Sequence, residues 1–115
     1  MATISKIKLS GSTDGQPIPV TGTATGSANT IHTASATSLD ETLLHASNID
    51  TVDHVLTIEF GSSTGTDVNV QTIPAKDGAY IVIPGFVLTN SKVVKAFADL
   101  ASKVNIIGFV NRITM

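Results

Sequence analysis

Three histidines, a loose run of carboxylates and many hydroxyls are the residues of this chain whose types suit chemistry. Zinc needs three or four ligands drawn to roughly 2.0–2.3 Å. His45 and His54 become neighbours if their strands pair across the turn at residues 48–53, but no motif spacing supplies further ligands. The plain reading is two hydrogen-bonded strand histidines. His32, in the phrase IHTA, reads as structural or as a subunit contact. Acidic residues are densest at Asp40, Glu41, Asp50 and Asp53. Calcium favours such oxygens, yet the ligand order of an EF-hand and its glycine at the sharp turn are absent, and Asp favours turns and caps. A carboxylate pair for glycoside hydrolysis needs a separation in space that sequence spacing does not set. The serines lie in no G-x-S-x-G elbow. The glycine-rich stretches SGSTDG, TGTATG and GSSTGTD lack the lysine and spacing of a phosphate loop and read as turns, where glycine supplies the geometry. Without cysteine, disulfides, thiolate metal sites and cysteine nucleophiles are excluded. The expectation is a protein without enzymatic activity, cofactor or metal.

Binding is therefore the class to examine. The formal net charge is −2 and the seven Lys and Arg are scattered from Lys6 to Arg112, too dilute to track phosphates or hold anionic lipid. The aromatic residues Phe60, Tyr80, Phe86, Phe97 and Phe109 all fall within apolar runs. Four read as core, and Phe86, beside Gly85, as exposed. Neither nucleic acid nor membrane is expected as a partner, and the lack of tryptophan weakens a sugar-stacking reading. Charged residues are only 14% of the chain, against a usual ~25%, so solubility rests on hydroxyls and amides or on burial against partners. With 42% hydrophobic residues and a mean hydropathy of +0.29, a folded chain is expected, and 115 residues suit a single domain with one core. The opening MATISKIKLS alternates and lacks the apolar stretch of a signal peptide. No run approaches the roughly 20 apolar residues of a membrane helix, so synthesis and folding in a cytoplasm are expected.

The elements that must position these residues are short strands. Residues 3–9 alternate, with Ile7 and Leu9 on one face and Lys6 and Lys8 on the other. Pro17 and Pro19 flank Ile18; proline cannot donate to a ladder, so Pro17–Val20 reads as an edge strand or extended arm. Residues 21–30 are small and polar and read as a flexible loop, or as an arm that orders on a partner. Together 1–30 form a candidate N-terminal arm. A short strand is expected at 30–34, a connection or one short helix at 37–42, and strands at 43–47, 54–60 and 68–73. In the 54–60 strand Leu56, Ile58 and Phe60 point inward and Val55, Thr57 and Glu59 outward. Residues 79–84 are apolar on both sides, as in a strand covered on both faces, with 86–88 as an extension beyond Gly85. Residues 92–101 carry apolar residues at helical spacing, but VVKAFA also reads as a strand, which is the reading preferred. The last strand, 104–113, sets Val104, Ile106, Gly108 and Val110 on one face and Ile107 and Phe109 on the other. About eight short strands at near-regular spacing predict an all-β single domain, a β-sandwich or jelly-roll-like barrel.

Several phrases carry a likeness. The opening KIKLSGSTDGQPIPV followed by IHTA, the central DHVLTIEFG, the segment TIPAKDGAYIVIPG and the ending VVKAFA…IIGFVNRIT resemble small virion proteins of tailed bacteriophages, most closely capsid decoration or cement proteins. The likeness spans nearly the whole chain and lies in layout, without a motif that fixes binding residues. It implies a β-rich, non-enzymatic homotrimer, assembled in the host cytoplasm and seated on the outer capsid of the virion. There it would clamp neighbouring major capsid protein subunits. Other virion parts, such as a head–tail joining or tail protein, and a cell-surface or carbohydrate-binding β module are the alternatives. The expected partner contacts are Pro17, Ile18, Pro19, Val20, His32, Phe86, Ile107 and Phe109.

Overall fold

The computed structural model describes residues 2–115. They form nine strands: β1 (Thr3–Lys8), β2 (Ile18–Pro19), β3 (Asn29–Thr33), β4 (Leu39–Asn48), β5 (His54–Phe60), β6 (Val68–Ile73), β7 (Ala79–Leu88), β8 (Val93–Ala98) and β9 (Val104–Thr114). Two single 3₁₀ turns, Thr25–Ser27 and Gly65–Asp67, are the helical pieces among the described residues. All pairings between strands are antiparallel.

Sheet A has the order β1-β9-β4-β7, with β2 also on β9; sheet B has the order β3-β8-β5-β6. Both β1 and β2 lie on the edge of β9 opposite β4, and so act as one strand interrupted by residues 9–17. The pairs β5·β6, β4·β7, β3·β8 and β1/β2·β9 nest as one long hairpin with its tip between β5 and β6. Rolling that hairpin brings β4 onto β9 and β5 onto β8, and the result is an eight-stranded jelly roll of two packed sheets. An all-β sandwich is thus the fold, as the alternation predicts.

Packing explains the register. Alternate residues of each strand enter the space between the sheets, and Leu44, Ala46, Leu56, Ile58, Val94, Ala96, Val104, Ile106 and Val110 fill it, all nearly free of solvent. In β9 the two predicted faces hold: Val104, Ile106 and Val110 are buried, Ile107 is exposed and Phe109 half-buried. Gly108 is required by close approach, since a Cβ there would lie 2.0 Å from the carbonyl oxygen of Leu43. Gly85 bends β7 with φ +124°, a left-handed-side conformation that favours glycine. The preferred strand reading of VVKAFA is β8.

Several expectations need correction. Residues 39–42 belong to β4 and are neither connection nor helix; Asp40 and Thr42 face the core there. Residues 17–20 take the edge-strand reading, with Ile18 and Pro19 paired to β9, and do not extend away as an arm. Ile18 and Val20 point inward as alternate residues and join the core, and Val20 N–H donates to the Val104 carbonyl at 2.9 Å. Residues 21–28 are a built turn, and residues 29 and 30 already belong to β3. Asn29 Oδ1 accepts from the N–H groups of Thr21 and Gly22 at 2.8 and 2.9 Å. Glu59 does project from the outer face of sheet B, but Thr25 Oγ1 donates to its carboxylate and it is buried.

Candidate interaction surface

Chemistry-bearing side chains gather in two clusters at opposite ends of the sandwich. At one end Asp40, wholly buried, receives Arg112 Nε on Oδ1 at 2.8 Å and Arg112 Nη2 on Oδ2 at 2.9 Å. His32 Nε2 and the Ser35 N–H reach Oδ2 at 2.8 and 3.1 Å. Ser10 N–H donates to His32 Nδ1 at 3.1 Å, so the ring proton sits on Nε2 and points at the carboxylate. Burial pushes the Asp40 carboxyl up, but the Arg112, His32 and Ser35 hydrogen bonds outweigh it and hold it at about 2. A bulge in β3 between Thr30 and His32 turns both Ile31 and His32 inward, an arrangement strict alternation does not foresee. His32 therefore binds its own fold instead of a partner.

At the other end His54 joins two loops. Its Nδ1 meets Asp99 Oδ1 at 2.7 Å and its Nε2 meets Asp50 Oδ2 at 2.8 Å. Two carboxylate acceptors call for two ring donors, so the imidazolium fits. Asp50 raises the His54 pKa most, burial works against it, and Asp99 adds to the rise. Asp50 is lowered by the same His54 bond and by the Thr51 N–H. His45 lies on β4, in the other sheet, and the two histidines do not pair. Among the described residues no group of three or more His, Asp or Glu side chains is arranged to hold a metal ion.

The remaining feature is the outer face of sheet A. Strand register arranges it in rows across β1, β9 and β4. One row is Ile4, Ile113 and Leu39. The next is Lys6, Asn111 and Glu41, followed by Lys8, Phe109 and Leu43. Ile107 and His45 form a further row and continue to Ile81 on β7. Ile4, Leu39, Ile81, Val87 and Ile107 are exposed, Ile4 at 68% and Ile81 at 57%. Polar groups are interleaved with them: Lys6, Asn111 and Glu41 fill one row and Lys8 and His45 stand in two others, with Asn111 Nδ2 donating to Glu41 Oε1 at 3.0 Å and Lys6 Nζ 4.6 Å above the Phe109 ring. Exposed apolar side chains grouped on one sheet face mark protein contact surfaces, and here the row of Lys6, Asn111 and Glu41 runs between them.

The predicted contact residues thus divide. Ile107 and Phe109 lie on this face. Phe86 is exposed on β7 at the gap between the two sheet edges, edge-on to Phe60 with ring centroids 6.2 Å apart. Pro17 and Pro19 flank the buried Ile18, while Val20 and His32 are enclosed. Sequence reasoning missed Ile4, Leu39 and Ile81. Ile4 sits two residues from the outward Lys6, whereas Leu39 and Ile81 join the face only through the ladder, opposite Ile113 and His45, so strand pairing was the signal lacking. No protein family, curated protein or solved structure matches the chain.

Proposed function

We propose that this chain is a non-enzymatic structural protein that works by adhesion, and that its scaffold is the outer surface of a tailed-phage capsid. The single observation behind the adhesive part is the apolar outer face of sheet A. The resemblance of several phrases to phage decoration proteins directs the reading to a capsid. On this reading the protein clamps neighbouring major capsid subunits. The mechanism is mass action: a ligand that binds the assembled shell and not its dispersed subunits stabilises the shell in proportion to its occupancy. A jelly roll suits the task because its closed double sheet keeps the contact face rigid, so little ordering entropy opposes binding. Fold alone assigns no function; the exposed side chains carry the argument.

Co-sedimentation of the purified protein with expanded capsids of its source phage tests this. Saturable binding and a higher capsid disruption temperature are expected. Binding to isolated glycans with no affinity for capsids would overturn it in favour of a carbohydrate module.

A further inference from the structure

We propose that the outer face of sheet A is self-complementary and takes a second copy of this chain about a two-fold axis running along β9. The inference rests on the reading of that face as adhesive, and it names the occupant. A rotation of 180° about an axis parallel to β9 and just above it exchanges the β1 and β4 columns and leaves each row opposite itself. Lys6, Asn111 and Glu41 occupy one row. The rotation therefore sets Lys6 against Glu41 of the second copy, and by symmetry does so twice. In the neighbouring row Ile4 meets Leu39 of the second copy, apolar on apolar. Ile107 and Phe109 lie along the axis and meet their own counterparts once the Lys6 ammonium, 4.6 Å above the Phe109 ring in the single chain, swings to Glu41 of the second copy.

Lys8 does not spoil the match. It falls opposite Leu43 of the second copy, but its ammonium is directed to the Ser12 carbonyl at 3.1 Å, in the loop after β1. An axis running across the strands between these rows does the reverse. It opposes Lys6 to Lys8 of the second copy, like charge to like. Charge thus selects the axis along β9. That axis also keeps the strands of the two copies nearly aligned, the arrangement in which twisted sheets pack face to face within about 30°. With sheet A so occupied, its adhesion serves to join two copies, and the scaffold contact passes to sheet B, where Val55 and Val70 are exposed on the outer face and two copies bind together.

Charge reversal tests the geometry. Sedimentation equilibrium of the wild-type chain should show a dimer. Lys6→Glu alone and Glu41→Lys alone each place like charges at both symmetric contacts, and each should weaken the dimer roughly tenfold or more. The double variant, and an equimolar mixture of the two single variants, should dimerise again, because both restore opposite charges. Circular dichroism of each variant reports that it is folded. A wild-type monomer, a trimer of the kind the decoration-protein likeness implies, or single variants that dimerise undiminished would each overturn the proposal. So would failure of the mixture to recover. A dimer that ignores capsids supports this inference while sinking the proposed function; a monomer that binds capsids does the opposite.

Discussion

The two histidine clusters use the same residue types to opposite electrostatic ends. At the Asp40 end one carboxylate is shared by a guanidinium and an imidazole N–H. At the His54 end one imidazole is shared by two carboxylates. The odd member is therefore the anion at the first and the cation at the second. Each is held ionised by what surrounds it, and each joins segments far apart in sequence. Asp40 draws together β3, β4 and β9, whereas His54 draws together the β4–β5 and β8–β9 loops. Depth separates them. Asp40 and His32 are both enclosed, while the Asp99 side chain is 48% exposed. Losing the first should therefore cost more than losing the second.

Replacing Asp40 with Ala should give the largest effect. Arg112, one-third exposed, can turn to water, but His32 Nε2–H and the Ser35 N–H are left without their acceptor. Removing one member of a buried pair costs on the order of 3–5 kcal/mol, a large fraction of the stability of a small domain. Urea unfolding followed by circular dichroism reads this. A loss below about 1 kcal/mol would mean that Asp40 is not the hub the geometry describes. His54→Gln should cost less, on the order of 2 kcal/mol, the usual loss when hydrogen bonds to charged groups are removed. Hydrogen exchange should then rise first in residues 49–53 and 99–103, because those loops lose their common anchor.

Titration distinguishes the clusters without any mutation. The folded-state pKa of Asp40 is depressed from 3.8 to about 2. Its contribution is complete above about pH 4 and disappears as pH falls toward 2, and linkage puts it at roughly 2 kcal/mol. The folded-state pKa of His54 is raised above 6.5. Its contribution is complete below that value and is lost as pH rises through the folded pKa. The wild-type melting temperature should accordingly decline on the alkaline side of about pH 6.5. His54→Gln should flatten that limb, and Asp40→Ala should leave it in place. An alkaline limb unchanged in the His54 variant would remove the imidazolium from the account.

Legibility of the sequence followed how differently the two faces of each strand are composed. In β9 one face is Val104, Ile106 and Val110, so period two is plain. In β5 it is plain too, and its hairpin with β6 follows from the glycine-rich connection. In β4 the inward residues are Asp40, Thr42, Leu44, Ala46 and Asn48, and the outward ones include Leu39 and Leu43. Neither face reads as apolar, so the strand begins four residues earlier than the pattern suggests. Pro17 and Pro19 mark an edge correctly, but pairing with β9 folds that edge into the core. The His32 and His54 clusters depend on contacts between distant segments, 72 residues apart for Asp40 and Arg112. Spacing carries no trace of those. The apolar outer face is half visible, because Ile107 and Phe109 are read from β9 alone and the rest of the rows need the ladder.

Thr42 sharpens the contrast at its smallest scale. It is two residues from Asp40 on the same inward face of β4 and just as buried, yet its Oγ1 has no hydrogen-bond partner among the described residues. Asp40 is charged and every direction around it is answered; Thr42 is neutral and its hydroxyl is not. A buried hydroxyl without a partner gives up its water and gains nothing in return, at a cost of roughly 1–3 kcal/mol. Valine replaces that hydroxyl with a methyl of similar size and keeps the β-branched shape that a strand favours. Thr42→Val should therefore stabilise the fold by about 1 kcal/mol, with a matching rise in the urea midpoint and no change in its slope. A destabilised variant would show that the hydroxyl finds a partner in solution, and the two successive inward positions Asp40 and Thr42 would then both be satisfied polar sites.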